Sequence, residues 1–369
     1  MSETRHLALV TGASGFIGSH LCEVLRERGH DVRAMVRPSS KLAKLELGAA
    51  GTPFTLAYAS LGEVESMADA MAKVDVVYHV AGATAAFDRK GFDRTNVAGV
   101  SNLFLALERA RERGQGPRRV VQVSSLMAAG PSHYRTARRE HHRHAPGFTD
   151  YGDSKLEGER VAIEAARKAE VELVIVRPPL VYGPRDEDVL QMIKSSAMGV
   201  VAQPGLRPTW MSAIHGRDLA RAIVLAGERG EPVPHDPEAA HVHKGDGGDP
   251  RAPGKLDDPR GVGIYYFSDG GRTSISEFGQ VSARALGRRA LTVPLPAFAV
   301  RSVGRLNQRV GEALGRIPAL TLDKARGSLA SGWWCDDAKA RATLDWSSEF
   351  TLQTGLEDTI RWLREHGKL

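Results

Sequence analysis

The sequence predicts an α/β fold in which a doubly wound parallel sheet is followed by a smaller C-terminal α+β lobe. In the first half of the chain, short apolar runs typical of buried strands alternate with longer runs typical of amphipathic helices. A glycine-rich turn separates the first strand from the first helix, and the alternation loosens after residue 176. With 369 residues and 42% hydrophobic content, the chain can bury the large core that this fold needs.

Composition and charge narrow the classes of function. Two distant cysteines, Cys22 and Cys335, form neither a disulfide framework nor a metal-ligand spacing, so a cytoplasmic location is expected. Because the first strand begins near Leu7, no signal peptide is expected, and no apolar run approaches the roughly 18 residues of a membrane span. The net charge of +6 comes mostly from arginines scattered over helices, so nucleic acid is not an expected partner.

The first strand, residues 6–10, leads into a turn with glycines at 12, 15 and 18 and then a helix. In this strand–turn–helix context each glycine has a distinct role. Gly12 permits the tight turn, Gly15 lets a pyrophosphate approach the helix N-terminus, and Gly18 lets the helix pack on the strand. The turn therefore predicts dinucleotide binding by a Rossmann-type sheet.

The second strand, residues 31–36, indicates which dinucleotide is bound. Asp31 lies at the start of the strand, which is the wrong end for the adenosine ribose, whereas Arg37 follows the far end with Lys41 close behind. An arginine without a competing carboxylate suits the 2′-phosphate of NADP, so NADP is favoured over NAD. The alternative is that Arg37 is a solvated loop charge.

The strands and helices that follow form a βαβ series, which predicts right-handed crossovers and a ligand at the carboxyl ends of the strands. The strand that starts near residue 74 ends in the small residues Ala81 and Gly82, which leave space for a dinucleotide, and His79 is expected to pack within it. Strands are predicted at 54–58, 74–80, 119–125 and 171–176, and helices at 64–71, 92–113 and 151–168.

Ser125, Tyr151 and Lys155 are predicted to carry the chemistry. Tyr151 and Lys155 are four residues apart on a helix and share a face, while Ser125 ends the preceding strand. If the strand and the helix are adjacent, the three groups converge and can move a proton to or from a substrate oxygen. Because an ammonium about 4 Å away can lower a tyrosine pKa from about 10 toward neutrality, Lys155 is expected to activate Tyr151.

Three other segments leave alternatives open. The histidine-containing basic loop at 134–144 is expected to be solvated or to flank the substrate rather than bind metal. Residues 231–260 are expected to form a mobile insertion with solvated histidines, His235, His241 and His243. The 298–317 segment predicts a basic amphipathic helix that lies on a membrane, covers a substrate pocket or packs as an ordinary surface helix, and membrane contact is the alternative we favour least.

Taken in order, the glycine turn, the 79–82 strand end, the serine, tyrosine and lysine, and the 177–184 stretch resemble the extended short-chain dehydrogenase/reductases of the NAD-dependent epimerase/dehydratase family. The resemblance implies catalytic roles for the three residues named above and a homodimer formed through the helices at 92–113 and 151–168. It is consistent with an NAD(P)-binding domain at 1–180 and a mostly substrate-binding lobe at 181–369, some segments of which return to the first domain. Its cofactor site would comprise Gly12, Gly15, Phe16, Ile17, Gly18, Arg37, Ala81, Gly82, Tyr151, Lys155, Pro178 and Val181.

Departures from the family pattern narrow the expected reaction. Sugar-nucleotide dehydratases have Thr-Asp-Glu where this chain has Ser-Ser-Leu at 124–126, and Leu180 stands where sugar-nucleotide enzymes often have asparagine. The 36–38 and 177–184 stretches look more like dihydroflavonol reductases and 3β-hydroxysteroid dehydrogenases. We therefore predict an NAD(P)-dependent reductase or dehydrogenase acting on a hydroxyl or carbonyl group of a small, fairly apolar substrate, with a nucleotide-sugar epimerase as the alternative and a non-catalytic dinucleotide-sensing protein as a lesser one.

Overall fold

The computed structural model describes residues 5–46, 54–142, 144–235 and 261–369. The strands are β1 Leu7–Thr11, β2 Asp31–Val36, β3 Thr55–Tyr58, β4 Val76–His79, β5 Arg119–Val123, β6 Glu172–Val176, β7 Leu180–Tyr182, β8 Val200–Pro204, β9 Trp210–Met211, β10 Ala213–His215, β11 Ile264–Tyr265, β12 Thr273–Ser274, β13 Leu291–Leu295 and β14 Gly332–Trp333. Seven of them form a parallel sheet in the order β11-β6-β5-β4-β1-β2-β3, which confirms the predicted doubly wound fold.

The helices are α1 Phe16–Glu27, α2 Ala43–Glu46, α3 Val64–Ala70, α4 Arg89–Asn96, α5 Ala98–Glu112, α6 Asp150–Lys168, α7 Asp188–Ala197, α8 Gly216–Arg229, α9 Ile275–Ala285, α10 Ala297–Leu314, α11 Leu322–Ser328, α12 Ala338–Leu344 and α13 Leu352–Glu365. The single helix predicted over 92–113 is instead two, α4 and α5, because the backbone departs from helical geometry at the β-branched Val97 (φ −114°, ψ −64°). None of the helices in the described ranges combines the length and hydrophobicity needed to cross a bilayer.

Helices cover both faces of the sheet because successive strand residues point in opposite directions. In β1, Ala8 and Val10 join the core formed with α1 and α8, whereas Leu9 joins the core formed with α3, α5 and α6. Helix α8 and strand β11 come from the second half of the chain and still pack on the main sheet.

The rest of the second half forms a smaller α+β lobe. Strands β7 and β10 pair in parallel, as do β8 and β13, and β9 lies between β12 and β14. Tyr182, Phe278 and Leu356 belong to a separate core between these strands and helices α7, α9 and α13. Of the predicted 231–260 insertion, 236–260 lies outside the described residues, and with it His241 and His243.

The basic loop at 134–144 is only partly solvated, since Tyr134, Arg135, Thr136 and Arg139 are exposed whereas other residues are buried. Arg138, Glu140 and His142 are buried. The Arg138 guanidinium donates to carbonyls of the preceding turn, and the Tyr266 amide donates to the Glu140 carboxylate at 3.1 Å. These partners come from other parts of the fold and satisfy the buried polar groups. In the described part of the chain, no three His, Cys, Asp or Glu side chains are placed to hold a metal ion.

A buried ion pair holds α6 on the sheet. Glu159 in α6 and Arg177, which follows β6, are both fully buried, and the guanidinium donates to the two carboxylate oxygens at 2.9 and 2.5 Å. The Ser124 hydroxyl at the end of β5 donates to the same carboxylate. Arg177 also contacts the His144 ring nitrogen at 2.6 Å and the Tyr266 hydroxyl at 3.3 Å. Helix α6 is therefore tied to β5 and β6 by one connected polar cluster.

We expect Glu159→Gln to lower the free energy of unfolding by about 3–5 kcal/mol, because it leaves the Arg177 charge buried without a counter-ion. Urea denaturation measures the loss. The control is Glu164→Gln on the same helix, where an exposed pair with Lys168 at 2.7 Å is removed and a change of at most about 0.5 kcal/mol is expected. Equal losses in the two variants would contradict a special role for the buried pair.

Candidate active site

The first turn of α6 is held by its own cap and by close backbone packing. The Thr149 hydroxyl accepts a hydrogen bond from the Gly152 amide at 3.1 Å, as an N-cap residue does. A Cβ at Gly152 would lie 2.6 Å from the Met127 carbonyl oxygen, so only glycine lets the helix rest on the short 3₁₀ helix that follows Ser125. This packing brings the start of α6, with Tyr151, up to the end of β5.

Two further residues hold Tyr151 from outside α6. The Asp323 carboxylate accepts hydrogen bonds from the amides of Asp150 and Tyr151 at 2.7 and 3.2 Å. The ring of Tyr151 lies against that of Phe92, with 5.7 Å between the centroids. Sequence reasoning assigned no role to Asp323 or Phe92, because both are far from Tyr151 along the chain and no local pattern connects them.

The structure brings Ser125, Tyr151 and Lys155 together between β5 and α6. The Ser125 hydroxyl lies close enough to the Tyr151 phenol to act on its pKa, and it accepts a hydrogen bond from the Met127 amide at 3.1 Å. The Lys155 ammonium donates to the Val123 carbonyl oxygen at 2.8 Å. Desolvation raises the pKa of Tyr151, and the nearby Ser125 hydroxyl acts in the opposite direction. The phenol thus keeps its proton at neutral pH, whereas the sequence argument expected Lys155 to lower this pKa.

Burial also lowers the pKa values of two basic side chains in this region, Lys155 and His79. It lowers the pKa of Lys155 to about 8, while Glu159 one turn along acts to raise it. Burial, assisted by Lys155, lowers the pKa of His79 to about 3, so this imidazole is neutral. Its Nδ1 lies 2.9 Å from the Thr11 hydroxyl. His79 is therefore a packed strand residue, as predicted.

Asn96, at the end of α4, connects the loop after β4 to α6. Its side-chain oxygen accepts from the Ala83 amide at 2.8 Å, and its amide nitrogen donates to the Ala83 carbonyl and the Ser154 hydroxyl at 3.0 and 2.9 Å. The sequence analysis gave Asn96 no role. The sequence feature that could have indicated a role is the polar Asn96 side chain on a helix face whose other residues are apolar.

The glycine turn fits the pyrophosphate of a dinucleotide. Gly12 has a φ of +67°, and a Cβ there would lie 2.9 Å from the backbone of Ala81. A Cβ at Gly18 would lie 2.2 Å from the Gly12 oxygen. Gly15 is exposed at the start of α1, where no side chain of the described residues caps the helix, so the first amides are open to an anion.

The other residues predicted for the cofactor site lie in α1, after β4 and after β6. Gly82 is exposed, and a Cβ there would lie 3.4 Å from the Lys155 ammonium, so its small size keeps the space before the amine clear. Phe16 and Ile17 begin α1, and Ala81 lies against Gly12. The Pro178 carbonyl accepts a hydrogen bond from the Leu126 amide, and Val181 lies in β7.

Arg37 lies in an exposed turn directly after β2. Its amide donates to the Ser40 hydroxyl at 3.0 Å and its carbonyl accepts from the Ser40 amide at 2.9 Å. Within the described ranges, no carboxylate forms an ion pair with its guanidinium. Asp31, at the opposite end of β2, is paired with Arg5 at 2.7 and 2.5 Å. The turn therefore presents a free positive charge at the end of the strand where a dinucleotide's ribose is expected.

Comparisons with known proteins agree with this geometry. A model of the NAD dependent epimerase/dehydratase family matches residues 8–239. Ceramide reductase of Caulobacter vibrioides is 27% identical over 378 residues, which cover 100% of this chain and 98% of that protein. The 4-hydroxy-2-methyl-3-oxo-4-farnesyl-3,4-dihydroquinoline-1-oxide ketoreductase of Stigmatella aurantiaca is 27% identical over 362 residues, or 94% of each chain. Enzymes named dihydroflavonol 4-reductase are also relatives, as the resemblance predicted.

A solved structure shows the same fold. The UDP-glucuronic acid 4-epimerase from Bacillus cereus, in complex with UDP-glucuronic acid and NAD, superposes with a TM-score of 0.69 at 19% identity, covering 98% of this chain and 99% of that one. At this identity the similarity extends to the architecture and not to the substrate.

We expect Lys155→Met to stabilise the ligand-free protein at pH 7. Because burial lowers the pKa of Lys155 from 10.5 to about 8, protonated Lys155 costs the native state up to about 3 kcal/mol at pH 7. The wild-type protein regains this free energy as the pH rises from about 8 to about 10.5, so the difference between the two proteins should shrink over that window.

Thermal unfolding at a series of pH values measures this difference. Lys168→Met, an exposed change on the same helix, is the control and should show no such pH dependence. A Lys155→Met protein that is less stable than wild type at pH 7 would contradict the prediction.

Proposed function

Because the chain belongs to the NAD-dependent epimerase/dehydratase family and is an NAD(P)-dependent oxidoreductase, we propose that it is an NADPH-dependent ketoreductase of a lipid-like substrate. The observation that carries the proposal is the placement of the Ser125 hydroxyl next to a protonated Tyr151 phenol, with Lys155 one turn further along the same helix. A protonated phenol is the form that reduction of a carbonyl group consumes.

Each residue has a defined part in the proposed reaction. Tyr151 donates its proton to the carbonyl oxygen as that oxygen becomes an alkoxide. Ser125 donates a hydrogen bond to the same oxygen and orients it. Lys155 binds the ribose next to the nicotinamide through its ammonium, which lies behind the open space at Gly82. A bound nicotinamide cofactor would supply the hydride.

NADP is the proposed form of the cofactor. Arg37 is exposed after β2 and has no carboxylate partner among the described residues, and Lys41 is exposed close behind it. A 2′-phosphate would receive charge-assisted hydrogen bonds there, whereas the 2′-hydroxyl of NAD would meet no carboxylate acceptor.

The proposed substrate is a ketone attached to a long apolar group. Two relatives that match nearly the whole chain are named for ceramide and for a farnesyl-bearing ketone. The apolar Leu180 stands where sugar-nucleotide enzymes often have asparagine, and the Ser-Ser-Leu stretch at 124–126 lacks the acid–base pair of the sugar-nucleotide dehydratases. A nucleotide-sugar epimerase remains the alternative outcome of the test below.

We further propose a cytoplasmic homodimer formed through α5 and α6, the surface that the family resemblance implies. Leu105 on α5 is 47% exposed and would be covered in such a dimer. Cys22 and Cys335 are both unpaired and buried, which fits a reducing compartment. Light scattering measures the mass in solution.

We expect Tyr151→Phe to lower the turnover number by about 10²–10⁴-fold, because the proton donor is lost, while NADPH affinity changes little. Turnover is followed as NADPH oxidation with a long-chain ketone, and affinity as fluorescence of bound NADPH. Tyr134→Phe, in an exposed loop, is the control and should be neutral. Near-normal turnover in Tyr151→Phe would refute the assignment, and isomerisation of a UDP-sugar without NADPH consumption would favour the epimerase.

We expect Arg37→Leu to raise the KM for NADPH by about 10- to 100-fold, because a charge-assisted hydrogen bond to the 2′-phosphate is lost. The KM for NADH should remain nearly constant. Steady-state kinetics with both cofactors measure this, and Arg361→Leu, an exposed arginine on α13, is the matched control. An equal rise for both cofactors would show that Arg37 does not contact the 2′-phosphate.

A further inference from the structure

Helix α10 presents large apolar side chains to solvent. Leu306 and Leu314 are 62% and 69% exposed, and Val303 and Val310 lie on the same side because these positions are three or four residues apart. Phe298, 74% exposed at the first turn, lies outside this line because it is five residues before Val303. In an ordinary surface helix, residues of this kind face the protein core. We call Val303, Leu306, Val310 and Leu314 the apolar stripe of α10.

The side of α10 that faces the protein consists mainly of small residues. Val300, Gly304 and Gly311 are buried. A Cβ at Gly304 would lie 2.9 Å from the Ala325 Cβ, and one at Gly311 would lie 2.6 Å from the Arg316 carbonyl oxygen. Close backbone packing therefore holds the helix in place, and the apolar stripe is not needed for that contact.

Positive charge runs beside the apolar stripe. Arg301, Arg305 and Arg309 follow one another at intervals of four and are exposed. Within the described ranges, none of the three forms an ion pair with a carboxylate. Glu312 is the only acidic residue of α10, and its carboxylate accepts from the Gln308 amide at 3.1 Å. The outward half of the helix thus combines aliphatic side chains with unneutralised guanidinium groups.

We propose that α10 docks the protein on the surface of an anionic membrane. Exposed aliphatic residues enter the boundary of the acyl chains while adjacent arginines bind lipid phosphates, which is the arrangement of an interfacial helix. Charge decides against a second copy of the chain as the occupant, because two such faces in contact would bring their arginines together. The structure thus reverses the order of preference that the sequence favoured for this segment.

Hydrogen bonds connect α10 to the proposed active site. The Gln308 amide donates to the Phe87 carbonyl at 3.0 Å, in the loop that follows β4, and its oxygen accepts from the Leu322 amide at 3.3 Å. The next residue, Asp323, accepts from the Tyr151 amide. A docked α10 would therefore hold the site close to the bilayer, where a lipid-like ketone partitions. This last step rests on the proposed function, but docking itself does not.

The test is co-sedimentation of the full-length protein with vesicles of phosphatidylcholine, with and without phosphatidylglycerol. We expect binding to the anionic vesicles that weakens as salt is added. Replacing one arginine by glutamine should lower the partition coefficient by about five-fold, and replacing all three by about 100-fold. The variant L306S/V310S/L314S, which keeps the arginines, should lose binding to the anionic vesicles.

Matched changes elsewhere on the surface serve as controls. Tyr58→Ser on β3 and Arg361→Gln on α13 replace an exposed aromatic and an exposed arginine and should leave binding unchanged. Thermal unfolding checks that every variant is folded. Vesicle binding needs neither cofactor nor substrate, so its result does not depend on whether the proposed reaction is correct. Reduction of a short soluble ketone should be unaffected by the α10 variants.

Two outcomes would overturn the proposal. One is equal or absent binding to the two vesicle types by the wild-type protein. The other is a wild-type oligomer that the L306S/V310S/L314S variant converts to a smaller species in light scattering without any vesicle binding, which would assign the stripe to a contact between copies of the chain.

Discussion

Two opposite charges buried away from water, on Glu159 and Arg177, fix how α6 lies on the sheet. Glu159 is one turn after Lys155 and two turns after Tyr151, so all three share one helix face. Ser124 donates to Glu159, and the hydroxyl of the neighbouring Ser125 lies next to the Tyr151 phenol. Because burying charges costs free energy that only one geometry offsets, we infer that the pair is retained for the register it imposes. If α6 shifted along the sheet, both the Glu159–Arg177 ion pair and the position of Tyr151 next to Ser125 would be lost.

The buried ammonium of Lys155 shows the cost of preparing a site before its ligand arrives. Its contact in the free protein is one backbone carbonyl, that of Val123, which does not offset desolvation, as its lowered pKa shows. Nearby, Asn96 forms two hydrogen bonds with Ala83, in the loop that bears Gly82, and a third with Ser154 in α6. Rigid hydrogen bonds therefore surround Lys155, whose buried charge destabilises the native state. This arrangement is expected where function and stability compete.

Local pattern was enough to predict the main sheet, the glycine turn and the meeting of Ser125 with the α6 face, because each depends on spacing within a short segment. Local pattern could not predict contacts between segments that are distant in the sequence. Asp323 accepts a hydrogen bond from the Tyr151 amide although the two residues are far apart in the sequence. The buried Glu140 likewise accepts one from the distant Tyr266 amide. The basic loop therefore looked solvated in the sequence. The pKa of Tyr151 was misjudged for the same reason, since the ammonium expected to lower it is directed to a backbone carbonyl.

The position of α10 links the chemistry of the proposed substrate to the fold. An apolar ketone with a long chain is scarce in water and concentrated in membranes, so an enzyme that collects it from solution meets little of it. An ordinary amphipathic helix would bury its leucines and valines against the core. Here the core side of α10 is built from Gly304 and Gly311 instead, and Gln308 ties the helix to the loop beside the glycine-lined cofactor edge. The same packing that exposes an apolar stripe therefore also sets its distance from Tyr151.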